Sequence, residues 1–158
     1  MTTPDIIFTR LTEISPVTIA AHMSDPRLKA HMPLLDGIWD ETRCEAFIAA
    51  KEACWTRDGL GHWAILADSE YAGWGGFQKE GEDWDYGLVL RTDQFGLGAP
   101  VTRKALAFAR ADARIPAITF LLPPSRRHVG ALARLGAQET GTIEHHGELF
   151  RKFRLETV

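Results

Sequence analysis

Apolar and polar positions change period several times along this chain. Residues 6–11 alternate and predict a short strand. Pro16–Met23 has helical spacing, with Ser15 as N-cap and Pro16 at the first helical position. Residues 25–40 contain Pro26, Pro33 and Gly37 and predict a loop or broken helix. From Asp40, a capping residue, to Arg57, the side chains Cys44, Phe47, Ile48, Lys51, Cys54 and Trp55 recur three and four apart, as on a helix. Gly59 and Gly61 end it. The period then drops to two. Strands are predicted at 62–67, 71–78 and 84–90, joined by Asp68-Ser69-Glu70 and by the polar run 79–83, which makes an antiparallel meander. Gly73, Gly75 and Gly76 predict a bulge or a close backbone approach in its middle strand. A helix over 100–114, a strand over 117–122, a break at Pro123-Pro124 and a helix over 125–135 follow. Residues 137–143 and 149–155 close the chain as a hairpin around Glu144-His145-His146-Gly147. The order β-α-α-β-β-β-α-β-α-β-β predicts an α+β (mixed α/β) fold. Its one strand–helix–strand unit brings a parallel strand pair together, and a crevice should open there.

Composition narrows the class. With 158 residues and 45% apolar content, a single domain over 1–158 with a sizeable core is expected. A net charge of −3 argues against a nucleic-acid partner, so basic residues matter here by position. No apolar run approaches the roughly 20 residues that span a bilayer, so no membrane partner is expected. The first residues lack the basic and apolar regions of a signal peptide. Cys44 and Cys54 would lie about 15 Å apart along their helix, beyond disulfide reach. A cytoplasmic protein fits these features. The histidines form no Cys/His cluster, and no metal site is expected.

The chemistry concentrates between Tyr86 and Pro100. An apolar strand runs into a turn holding Gly96 and Gly98, and a helix is predicted to open at Pro100. Glycine lets a backbone approach a ligand closely. A helix start presents unpaired N–H groups and a positive dipole end. Together they predict a phosphate cradle. Arg103 and Lys104 follow the first start, and Ser125, read as an N-cap, is followed by Arg126 and Arg127. Each pair alone reads as solvated cations; the two pairs together, both just beyond a predicted strand, favour an anionic ligand. The turn is not a dinucleotide fingerprint, because Val101 stands at the third glycine position and three antiparallel strands precede it. There is no Gly-Lys-Ser/Thr, hence no P-loop.

The sequence of these motifs resembles the GNAT N-acetyltransferase family, in particular the branch that includes the ribosomal-protein alanine N-acetyltransferases. That branch has Trp-Gly-Lys/Arg-Gly in the turn, similar to Phe95-Gly96-Leu97-Gly98-Ala99-Pro100. Its preceding strand often reads Glu-x-Gly-x-x-Leu, similar to Asp85-Tyr86-Gly87-Leu88-Val89-Leu90. Two earlier strands look like His62-Trp63-Ala64-Ile65 and Tyr71-Ala72-Gly73-Trp74-Gly75-Gly76-Phe77. A later Asn-x-x-Ser and a helix ending Leu-Gly-Phe are similar to Ser125-Arg126-Arg127-His128 and Leu135-Gly136-Ala137. The resemblance covers nearly the whole chain. It implies a central, mostly antiparallel twisted sheet with helices on both faces and one parallel pair at a CoA-binding crevice. Four departures stand out: Leu97 for a basic residue, Pro100 for Ala or Gly, Ser125 for Asn and His128 for Ser.

The resemblance implies transfer of acetyl from acetyl-CoA, as co-substrate, to a primary amine within a ternary complex. The acceptor is a small molecule or a protein N-terminus. The cofactor site is then Leu88 and Leu90 on the strand, Phe95, Gly96, Leu97, Gly98 and Ala99 in the turn, and Arg103, Ser125, Arg126, Arg127 and His128 beyond it. A backbone N–H near Leu90 would polarise the thioester carbonyl. Asp85, on the family's acidic position, is the expected base, against the plainer reading of a solvent-facing strand carboxylate. His128 is the expected acid, against that of a half-exposed helix histidine. The tyrosine many relatives use is replaced at the matching position by Leu132. Glu82 and Asp83 read as a solvated acidic turn. Trp39 and Trp74, with Asp85, are candidates for contact with the acceptor, within a variable region over 22–39. A non-catalytic acyl-CoA-binding or regulatory domain is the alternative, and an unrelated nucleotide-binding module a more distant one. The edge 149–155 is a candidate for pairing in a homodimer.

Overall fold

The computed structural model describes residues 3–32, 37–124 and 129–158. Seven strands form one sheet: β1 (Ile6–Thr9), β2 (His62–Ala67), β3 (Glu70–Glu80), β4 (Asp83–Leu90), β5 (Ala117–Leu122), β6 (Gln138–His145) and β7 (Glu148–Glu156), in the spatial order β1-β2-β3-β4-β5-β7-β6. All neighbours are antiparallel except β4 and β5. The helices are α1 (Pro16–Met23), α2 (Pro26–Lys29), α3 (Glu41–Asp58), α4 (Gly98–Ala111) and α5 (Gly130–Leu135), with 3-10 turns at Leu11–Glu13 and Thr92–Leu97. No helix among the described residues is long and apolar enough to cross a membrane.

Local chemistry sets the helix ends. The Ser15 side chain accepts from the Val17 N–H, and Asp40 accepts from the Arg43 N–H at 2.8 Å, each satisfying a donor that a helix start leaves free. Gly59 closes α3 at φ 77°, a left-handed conformation that costs glycine nothing. α2, N-capped by Asp25, arises where the sequence predicts a loop or broken helix: Pro26 at its first position needs no N–H partner. Other boundaries shift as well. The first strand ends at Thr9, β3 and β4 extend into the polar run until only two residues join them, and α4 ends at Ala111.

Each sheet face has its own core. Ile19 and Met23 of α1 and Cys44 of α3 pack on Ala64, Trp74 and Val89. Leu106 and Ala109 of α4 pack on the opposite face, against Trp63, Phe77, Trp84 and Ile118. Cys44 and Cys54 are both free thiols.

The meander is pulled tight at its glycines. A Cβ at Gly73 would lie 2.4 Å from the Val89 carbonyl oxygen, and one at Gly75 2.4 Å from that of Gly87, so β3 and β4 approach as only glycine permits. The register between β2 and β3 shifts beside this point, with Ile65 opposite Gly73 and Leu66 opposite Tyr71, leaving Ala72 as the extra residue of a bulge.

Candidate active site

The parallel pair positions the site. β4 stays paired with β3 as far as Leu90, but with β5 it pairs only at Trp84–Ile118 and Asp85–Thr119. β5 instead follows β7 out to Leu122 opposite Arg151. Beyond Asp85 the two parallel strands therefore part, and the β5-facing edge of β4 through Leu88 and Leu90 is left without ladder partners. This is the crevice that one strand–helix–strand unit in a meander predicts.

Asp85 stands where the strands separate. Alternation places it with Gly87 and Val89 on the face that carries α1 and α3, opposite Trp84, Tyr86 and Leu88. The residue is half-buried. Burial pushes its carboxyl up to about 7, while the Thr119 hydroxyl, donating to Oδ1 at 2.8 Å, pulls in the other direction. Asp83, two residues earlier, opens β4 and accepts from the Lys152 Nζ at 2.6 Å, where the sequence suggests a solvated turn. A carboxyl that changes charge near neutrality, held by one neutral donor, can take up and release a proton.

The glycine turn takes a different form from the one its sequence suggests. Thr92–Leu97 is a 3-10 turn and α4 begins at Gly98, two residues before Pro100. Gly98 is helical, at φ −54°, and Gly96 is likewise absent from the left-handed region. Neither glycine is there to reverse the chain. A Cβ built on either would meet nothing within 4 Å, so both leave open space beside the helix start. Among the described residues no side-chain cap bonds to that start, whose N-cap is Leu97. A positive dipole end with room for close approach can hold a phosphate group. Phe95 is exposed, its ring edge against His31 at 5.5 Å, and Leu97 packs toward Val101. Arg103 is exposed one turn further on, without an ion-pair partner among the described residues. Lys104 does not serve the turn: its Nζ donates to the Ile6 carbonyl and lies 5.6 Å from the Phe8 ring.

Ser125, Arg126, Arg127 and His128 lie outside the described residues. Trp39 and Trp74 both belong to the core beneath α3, each 8% exposed. Trp74 donates through Nε1 to the Met23 sulfur and is flanked by Phe47 and His62, whereas the buried Nε1 of Trp39 has no partner among the described residues.

Sequence reasoning passes over a group of polar residues on the Asp85 face. Lys51, on α3, donates to Gln78 Oε1 at 2.8 Å and lies 5.0 Å from the centroid of Trp74; burial pulls its ammonium down to about 8. Gln78 is the direct cross-strand partner of Asp85. His62 is buried, and desolvation holds its imidazole well below the ordinary value, so it stays neutral. The only sequence signal was Lys51 on an otherwise apolar stripe. A cavity of about 470 Å³ lies between Lys29 and His31, Pro123 and Pro124 at the end of β5, and Leu149 and Phe150 of β7. It includes part of the variable region expected near an acceptor.

No family model and no curated protein sequence matches this chain. Solved structures do. RimL, a ribosomal-protein alpha-N-acetyltransferase in complex with coenzyme A, superposes with a TM-score of 0.76 at 14% identity, over 99% of this chain and 95% of its own. An aminoglycoside acetyltransferase in complex with coenzyme A gives 0.73 at 13%, over 96% and 95%. A GNAT-family acetyltransferase from Bacillus anthracis gives 0.72 at 15%, over 99% and 98%. The match extends over nearly the whole of each chain, and this chain, with its seven-stranded sheet and single parallel pair, has the fold of the GNAT-family acetyltransferases.

Proposed function

We propose that this chain is an N-acetyltransferase that moves acetyl from acetyl-CoA directly to a primary amine, on a small molecule or a protein N-terminus, while both are bound. The observation that carries this reading is the placement of Asp85. Its carboxyl, raised to about 7, sits where β4 and β5 part, on the strand whose end runs through a single 3-10 turn into α4.

Acetyl-CoA supplies the activated acetyl group, and the chain's residues divide the remaining work. The open backbone over 95–99 and the α4 start, with Arg103 nearby, hold the pyrophosphate. The unladdered main chain of Leu88 and Leu90 holds the arm, and the Leu90 N–H polarises the thioester carbonyl in the manner of an oxyanion hole. Asp85 takes the proton that the ammonium must lose before it becomes a nucleophile. Ser125, Arg126, Arg127 and His128 follow β5 in sequence. In this proposal they serve the arm and outer phosphates, with His128 returning a proton to the thiolate.

Thiol release from acetyl-CoA, followed with a panel of primary amines, tests the reading. Amine-dependent release is expected, falling about 100-fold or more in Asp85→Asn with acetyl-CoA affinity retained. Binding of acetyl-CoA without turnover of any amine would favour an acyl-CoA-binding domain instead.

A further inference from the structure

Gln78 stands directly opposite Asp85 on the neighbouring strand, on the same face of the sheet. Side chains so placed are within reach of one another. An amide N–H in that position would ordinarily donate to the carboxylate and favour its charged form. Here it does not. Thr119 donates to Asp85 Oδ1, and among the described residues nothing donates to Oδ2.

The Gln78 amide is engaged elsewhere, at both ends. Its Oε1 accepts from the Lys51 Nζ at 2.8 Å, and its Nε2 donates to Glu80 Oε1 at 3.0 Å. A lysine ammonium only donates and a carboxylate only accepts, so these partners fix which way the amide faces. The Glu80 contact is exposed, whereas the Lys51 contact is partly buried and is the firmer hold. Lys51 is itself confined, its ammonium 5.0 Å from the centroid of Trp74 and 5.5 Å from that of Phe47. It stands on an otherwise apolar stripe of α3, where burying an ammonium costs free energy that Leu or Met would not. Among the described residues, its hydrogen bond goes to the amide opposite Asp85.

The charged groups around Asp85 are Asp83 on its own strand, Glu80 on β3, Lys152 on β7 and, beyond Gln78, Lys51 on α3. Asp83 and Glu80 oppose its ionisation, and Lys152 favours it. Lys152 is paired with Asp83 at 2.6 Å, and Arg154, also on β7, approaches Asp83 at 3.7 Å. We propose that Lys51 is a positioning residue: by holding the Gln78 amide away from Asp85, it leaves Oδ2 free to take the proton of the acceptor ammonium. The role in catalysis rests on the acetyltransferase reading above; the hold on Gln78 does not.

NMR titration of the aspartate carboxyl carbons, with Asp85 identified by its loss in Asp85→Asn, tests this without turnover. Charge alone predicts that Lys51→Met, which removes a cation, moves the Asp85 midpoint up. Release of the amide predicts the opposite, a fall of about half a pH unit or more, with the rising limb of kcat/KM following it. Gln78→Met should leave the midpoint where wild type has it. Lys51→Met combined with Gln78→Met should show no fall, because no amide is left to release. Methionine fills an irregular apolar space readily, so these variants should fold. A rise or no change in Lys51→Met, or a rise in Gln78→Met, overturns the proposal. If wild type acetylates no amine, the acetyltransferase reading falls and the catalytic role with it, while the midpoints still decide the hold on Gln78.

Discussion

Asp85 shows how far one position in a sheet can move a side chain's chemistry. Its carboxyl is raised to about 7 because burial disfavours the charge more than the Thr119 hydroxyl favours it. As a base it works only when deprotonated. The kcat/KM profile should therefore show a limb that rises with pH through about 7. Thr119→Val removes the donor that stabilises the carboxylate, so the rising limb should move to higher pH by about half a unit or more; an unshifted profile would remove Thr119 from the account. The same burial bears on stability. Between pH about 4 and about 7 the folded chain holds the Asp85 proton more tightly than the unfolded chain, so this group makes stability fall as pH rises through that window. Denaturant titration should find Asp85→Asn more stable than wild type at pH 8, by an amount on the order of 1 kcal/mol, and no more stable at pH 4.

At the scale of elements, what was legible depended on whether the determinant was local. Ser15, Asp40 and Gly59 act on neighbours within a few residues, and each does what its type predicts. Asp40→Ala should cost about 1 kcal/mol, a loss of a few degrees in Tm. The crowded glycines of β3 were also legible, since three in four residues of a strand need a reason. Gly73→Ala would drive a Cβ into the Val89 carbonyl at a φ of +158°, and the variant should fail to accumulate as folded protein. The glycine turn takes a conformation that its sequence does not announce. Gly96 and Gly98 were expected to turn the chain, whereas a 3-10 turn leads into α4 and the glycines clear space beside it. Four-residue α2 escaped notice because Pro26 and Pro33 read more readily as breaks than as a helix start.

At the scale of the molecule, the order of elements was enough to predict a mixed α/β fold with one parallel pair, because short connections leave few alternatives. Sequence order was not enough to place β7 between β5 and β6, nor to bring Lys51, His62 and Thr119 to the face of Asp85. Those meetings depend on strand register across positions far apart in the chain, and no residue type announces them. The separation of β4 from β5 after two paired residues is likewise a property of the whole sheet, set by where β7 draws β5. The proposed acetyl transfer requires that crevice to receive acetyl-CoA with its phosphates at the start of α4. Calorimetric titration of acetyl-CoA into wild type and Gly98→Trp tests this directly. Binding in the micromolar range by wild type is expected, weakened at least tenfold in Gly98→Trp with little change in Tm, because a Cβ at Gly98 meets no protein atom within 4 Å. Equal affinity in the two proteins, or no heat from wild type at millimolar acetyl-CoA, would contradict it.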